Sequence, residues 1–306
     1  MFCCFHDHDH VIFAESVDAD EKAIQDLQKQ VKGQKKQLAS ITRAKIKELK
    51  AEKKTADQFG KVYSRSSKKL LQQMKDLLNQ TDPAVLLSLE KEQLIDLVLQ
   101  GGFAESMEDF IEQQNKLVDA ITGSIQTVDP TFKPLFIDNE VEALKALTVQ
   151  NVFDDIVVPT VTKNVRDSLL SMVVDTPKDQ ALSNLAQTLE RGAGTLQTEV
   201  RTKIAQFGRS VNMIAADAVG MDLYLYTGPR DGITRPFCNV LINKVVSKEQ
   251  MSALNNGQGL SVRSSGGGYN CRHSWSPVTQ AFVDVADLEL ATNADIARAN
   301  QRGKRK

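Results

Sequence analysis

Two of the four cysteines, one of the four histidines and the single tryptophan of this 306-residue chain lie between Gly228 and Val278, in GPRDGITRPFC and, about thirty residues later, GGGYNCRHSWSPV. Cys238, Cys271 and His273 are donors of the type that hold soft or borderline cations. Three uses are open to them. They can be buried thiols beside a hydrogen-bonded imidazole, with no metal at all. They can form a structural zinc site, which prefers four protein ligands and would have to recruit a fourth such as Asp231. Or they can form a working metal centre, in which three ligands leave a position for water. No glutamate stands beside His273 as a general base. A Cys-His nucleophile pair would lack a marked orienting residue. Arg235 and Arg272 flank the cysteines and either bind phosphate or carboxylate or, as expected of such loop arginines, tie backbone carbonyls.

A second set of donors opens the chain. MFCCFHDHDH places Cys3, Cys4, His6, His8 and His10 within ten positions, and in an extended segment the three histidines would share one face as a flexible chelate. No framework holds these ligands, so a disordered, His-rich terminus is the plainer expectation.

The elements that must position the terminal trio are readable upstream. Val200, Ile204, Phe207, Val211, Ile214 and Ala218 recur every three or four residues, which predicts a helix that Gly220 closes. The alternating, aromatic run 222–227 reads as a strand. Gly228-Pro229 and Asp231-Gly232 make a turn, Thr234-Arg-Pro236 leads into a short helix with Cys238, and Ser247 with Gln250 forms a capping box for a helix over 248–254. Leu260-Ser-Val262 is expected as a strand and Gly266–Gly268 as a sharp turn. The segment 269–275 then returns Cys271 and His273 toward Cys238.

The first two thirds of the chain predict helices. From about Asp20 to Asn79 there is no proline, and Ile24, Leu27, Val31, Leu38 and Ile41, then Ile46, Leu49, Ala56 and Tyr63, trace a narrow coiled-coil seam with Gln34 in it. One long basic helix seeking a partner helix is the expectation. Thr81-Asp82-Pro83 starts a further helix, ended by Gly101-Gly102. Helices over 107–121 and 141–147 follow, and their carboxylates have no catalytic spacing. The run 155–162 is a strand or a buried helix start. Asp175-Thr-Pro177 opens another helix, which Gly192-Ala-Gly194 interrupts.

Net charge is −1, but it is segregated: fifteen Lys or Arg against three acids from Lys29 to Lys75, then sixteen acids against four lysines from Asp76 to Asp155, and a basic block from Arg298 to Lys306. Such a layout either folds back on itself or presents separate faces to separate partners. Lys35, Lys36, Lys45, Lys53, Lys54, Lys68 and Lys69, with Arg302, Lys304 and Arg305, are the candidate contacts to a nucleic-acid backbone. A solvated helix surface is the competing reading of the lysines. No apolar run approaches a membrane span, no secretory signal is visible, and four cysteines do not suggest a disulfide framework. The expected class is mainly α: a long coiled-coil-like N-terminal helix (20–79) after a His/Cys-rich start (1–19), an acidic helical domain (80–180), a small α/β module (181–285) and a basic tail (286–306).

The terminal region, about 196–278, resembles the phage Mu F-like head morphogenesis family, the minor capsid proteins of tailed bacteriophages. The matching residues are Thr198-Glu199, Gly220, Tyr224, Asp231, Cys238 and Asn270-Cys271-Arg272-His273. Leu241 stands where many relatives carry a second cysteine, and Tyr269 replaces a histidine. The resemblance implies a structural component of the virion head, present in multiple copies, made in the host cytoplasm and docked on the portal and other head proteins, with double-stranded DNA as a further contact. It implies no enzyme and no certain cofactor, with zinc as the candidate. A metal-dependent nuclease or hydrolase carried by the Cys/His module is the alternative.

Overall fold

The computed structural model describes the backbone of residues 8–303 and side chains from residue 19. It is mainly helical with a small sheet near the C-terminus, as the sequence predicts. In chain order the elements are α1 (His8–Val31), α2 (Lys36–Gln80), α3 (Pro83–Leu87), α4 (Lys91–Val98), α5 (Ala104–Val128), α6 (Asp138–Val152), α7 (Val158–Val174) and α8 (Lys178–Ala218), followed by β1 (Leu223–Thr227), α9 (Pro236–Leu241), β2 (Lys244–Ser247), α10 (Lys248–Ser252), α11 (Val262–Ser265), β3 (Ser274–Val278), α12 (Gln280–Ala286), β4 (Glu289–Leu290) and α13 (Asn293–Gly303). The chain divides into two compact units built from separated stretches. Among the described residues, the first comprises 8–15, 55–113 and 146–200, and the second 16–54, 114–145 and 201–303.

The first unit is all helical. Its centre is a ring cluster in which Phe153 meets Phe59 and Phe110 edge-on at centroid distances of 6.3 and 5.7 Å, and Tyr63 meets Phe103 at 5.6 Å. All five side chains are buried. Asp82 caps α3 through a hydrogen bond from the Ala84 N–H, with Pro83 in the first turn as expected. Gly101-Gly102 ends the helix as expected: Gly102, at φ 109°, is non-helical and kinks the chain within a π-type turn, Leu99–Phe103, after which α5 begins. A Cβ on Gly101 would come within 2.8 Å of Leu70, so the glycine lets α2 approach the turn closely. The run 155–162 is helical, not a strand: 155–157 close a π-type turn, Phe153–Val157, and 158–162 open α7, with Val157, Val158 and Val161 buried. Gly192 and Gly194 do not interrupt α8: Leu189 and Leu196 on either side are buried, and that packing outweighs the roughly 1 kcal/mol each helical glycine costs.

In the second unit the expected long helix is broken. Successive i→i−3 bonds, Lys32 N–H to Lys29 O and Gly33 N–H to Gln30 O, tighten and end α1, and the chain turns before α2. The seam residues then meet each other: Ile24 and Leu27 of α1 pack on Ile46 and Leu49 of α2, with Val31 alongside. Gln34 accepts a hydrogen bond from Thr42 at 2.7 Å. The narrow apolar stripe thus has its partner helix within the chain, so it is a helical hairpin and not a seam awaiting another protein.

The module after α8 is a four-stranded sheet in the order β3-β1-β2-β4, antiparallel except for the β2–β4 pair. Gly220, at φ 68°, lets the Met221 N–H bond back to Ala216 O and ends α8. β1 is buried on both faces: Tyr224, Tyr226 and Trp275 pack with Phe237, Leu241 and Val262, while Leu225, Val245 and Val278 pack on Ile41 and Val283. The predicted capping box at Ser247 and Gln250 forms. The expected strand at 260–262 does not; α11 starts at Val262, and β2, β3 and β4 are strands that the sequence reading missed.

Candidate metal centre

β1, α9 and the return segment bring the three predicted donors together. Cys238 Sγ lies 3.9 Å from Cys271 Sγ, and Cys271 Sγ lies 3.7 Å from His273 Nδ1. One ligand atom from each of the three residues falls within 4.8 Å of the others, and the side chains are 1, 5 and 2% exposed. Tetrahedral zinc, with Zn–S near 2.3 Å and Zn–N near 2.0–2.1 Å, requires S···S and S···N edges of about 3.8 and 3.6 Å. Two of the three edges have these lengths, and the third, between Cys238 and His273, is within 4.8 Å, so the donor types and spacing suit such a cation.

The residues around the trio fix its geometry. His273 Nε2 sits 2.8 Å from Pro229 O. A carbonyl only accepts, so Nε2 carries a hydrogen and Nδ1 is the ring nitrogen turned toward the sulfurs, the orientation a metal-binding imidazole needs. Gly267 N–H donates to Cys271 Sγ at 3.1 Å. A Cβ on Gly267 would collide with Cys238 Sγ, and one on Gly228 with the His273 ring, so both glycines are close-approach positions. Asn270, at φ 52°, and Gly268, at φ 107°, complete the turn that delivers Cys271. Arg209, 3% exposed on α8, donates to His273 O at 2.8 Å, to Ser264 O at 3.1 Å and to Cys271 O. Two loop carbonyls and one at the C-terminal end of α11 are thus satisfied by one guanidinium.

The sulfurs divide their proton unequally. The hydrogen bond from Cys238, then His273 and Arg209 nearby, hold the Cys271 thiol well below the usual range; that same shared hydrogen bond, then burial, push Cys238 well above it. Burial, reinforced by both sulfurs, also pushes Tyr226 up.

Asp231 does not join the trio. It is paired with Arg272 through two contacts of 2.6 and 2.9 Å, and the Arg272 guanidinium, once burial is offset, holds its carboxyl below the usual range. Arg272 also donates to Ala19 O, and Arg235 to Tyr269 O, so both arginines tie the backbone as expected. Of the family-like pair upstream, Thr198 bonds Gly194 O and Glu199 is exposed. The backbone at His8 and His10 is helical, in α1, and not the extended segment that the chelate presupposes. Cys3, Cys4 and His6 lie outside the described residues.

The basic candidates separate. Lys45 is not exposed: it is 2% accessible and bound to Glu48 at 2.9 Å, because it lies on the core side of α2. Lys35 pairs with Asp287, Lys53 with Glu21 and Lys69 with Glu105. Lys36, Lys54, Lys68 and Arg302 are exposed; Lys304 and Arg305 lie outside the described residues. The sequence reading passed over Arg43, Lys47 and Lys50. With Lys36 and Lys54 they are spaced 7, 4, 3 and 4 residues apart, which places all five exposed cations on one side of α2. Helical spacing measured against the apolar seam, rather than lysine density, was the signal that would have found them.

Comparison of the chain with protein-family models, with curated proteins and with solved structures finds no match.

Proposed function

We propose that this chain is a structural protein of a tailed-phage head, a minor capsid or head morphogenesis protein that associates with the portal and other head proteins in multiple copies and is assembled into virions in the host cytoplasm. The observation that carries this reading is the resemblance over about 196–278, whose separate pieces, the cysteine after the Asp231 turn and the Asn270-Cys271-Arg272-His273 knuckle, meet in one buried site. Zinc is the cation the trio suits, with Cys238, Cys271 and His273 as ligands in a structural role. The burial of all three supports a closed, structural site over the nuclease or hydrolase alternative, because a catalytic cation needs a position open to substrate. Co-expression with the portal protein of the same phage tests the reading: co-purification with the portal ring is the expected result, and a portal ring that purifies without this chain contradicts it.

The exposed row Lys36, Arg43, Lys47, Lys50 and Lys54 is the surface we assign to packaged double-stranded DNA. Each phosphate neutralised contributes about 0.9 to the slope of log affinity against log salt. Replacing Lys47, Lys50 and Lys54 by glutamine is expected to lower that slope by about 2 to 3. An unchanged slope, or affinity independent of salt in the parent, would remove DNA from the account.

A further inference from the structure

Three protein ligands fall one short of a closed zinc site, and neither Asp231 nor Leu241 supplies the fourth. We propose that the phenol oxygen of Tyr226 occupies this position, making a Cys238–Cys271–His273–Tyr226 site. The inference rests on the zinc reading of the trio given above.

Tyr226 Oη lies 3.4 Å from Cys238 Sγ and 3.6 Å from Cys271 Sγ. A tetrahedral zinc with Zn–O near 2.0 Å and Zn–S near 2.3 Å has S···O edges of about 3.5 Å. With the 3.9 and 3.7 Å edges among the trio, four of a tetrahedron's six edges have matching lengths, including all three that join Tyr226 Oη, Cys238 and Cys271. Tyr226 is 0% exposed, and among the described residues its hydroxyl has these two sulfurs as hydrogen-bond partners. Sulfur is a weak acceptor, and a site that needed only packing would be served by phenylalanine without the cost of burying a hydroxyl.

The ring is also held where a ligand must be. Tyr226 pairs with Trp275 across β1 and β3, packs on its ring at 4.3 Å and stacks on His273 at 5.3 Å with planes 13° apart. A Cβ on Gly266 would come within 3.2 Å of both Cys271 Sγ and Tyr226 Oη, so the glycine turn closes over the same point. Two thiolates and a phenolate around a dication leave one net negative charge, beside which Arg209 and Arg235 are anchored to the carbonyls of Cys271, His273 and Tyr269. Binding releases the thiol and phenol protons to solvent, and no redox step is involved.

The test uses the full chain, reduced, stripped of metal by a chelator and titrated with Zn²⁺, then separately with Co²⁺ as a visible probe. The proposal expects one equivalent of zinc, a tyrosinate ultraviolet difference band that saturates with it, and a four-coordinate Co²⁺ spectrum. Tyr226→Phe should lose the tyrosinate band, shift the Co²⁺ bands and bind zinc at least about tenfold more weakly. Stoichiometric zinc in the parent with no tyrosinate band overturns the role of Tyr226 and leaves the three-ligand reading standing. No stoichiometric zinc in the parent overturns both. Because the band is read in the unmodified protein, a poorly folding variant does not blunt the outcome.

Discussion

The ring cluster of the first unit and the knuckle of the second solve the same problem with opposite means. Around Phe153, five aromatic side chains carried on helical segments meet, most of them edge to face. Around His273, the chain runs through turns and the end of α11, and side chains meet the carbonyls there. Arg209 supplies donors to three of them, Asn256 to those of Leu260 and Gly266, and His273 to Pro229. Regular backbone can be covered by interchangeable apolar mass, whereas irregular backbone needs particular polar groups at particular points. The first region should therefore tolerate a change of side-chain type that keeps volume, and the second should not.

Substitutions sharpen that contrast. Phe153→Ala should cost about 4 kcal/mol in urea unfolding, through lost burial and the cavity left behind, while Phe153→Leu should recover most of it. Arg209→Ala should cost about 3 kcal/mol, because it leaves buried carbonyls unsatisfied, and Arg209→Met, which restores volume but not donors, should recover little. Equal rescue by the apolar replacement at both positions would erase the distinction between the two regions.

A smaller effect is expected from pH. Glu52, on the hairpin beside Lys45, Glu48, Arg209 and Asp20, has its carboxyl pushed up to about 7 by burial, against the attraction of Lys45. The folded state therefore keeps a proton that the unfolded chain releases above about 4.5, so the contribution of this group to stability falls as pH rises from about 4.5 to 7 and is level above that. The whole swing is at most about 3 kcal/mol. Glu52→Gln should flatten this part of the stability–pH curve, so that the variant gains on the parent between pH 5 and about 8; an unaltered curve would place the titration elsewhere.

Legibility from sequence followed the same division. Seam and helix residues were visible from period alone, and Asp82, Gly220 and Ser247 announced their boundaries by known capping chemistry. Period does not report what fills a seam: Ile24 and Leu27 fit a coiled-coil partner as well as they fit Ile46 and Leu49, and only the turn at Lys32–Gly33 decides between them. Gly192 and Gly194 mislead for a related reason, since a glycine that breaks an isolated helix survives where its neighbours are buried, while Gly101-Gly102 do break theirs. In the module, scarcity of Cys, His and Trp pointed to the site. Tyr226 and Arg209 were not singled out because nothing in their spacing shows that a strand and a long helix carry them to the same sulfurs and carbonyls. Lys45 was taken for an exposed cation because composition counts charges without assigning them to a face.

The central claim is that the terminal module is knit by a cation held where Cys238, Cys271 and His273 meet, while the helical unit around Phe153 is not. Amide hydrogen exchange on the full chain, zinc-loaded and then chelated, addresses it most directly. Loss of protection on chelation in β1, α9 and β3, with α7 and the 55–80 part of α2 unchanged, is the predicted result. Protection in β1 and β3 that is indifferent to metal, in a protein to which zinc has been added, would contradict the account.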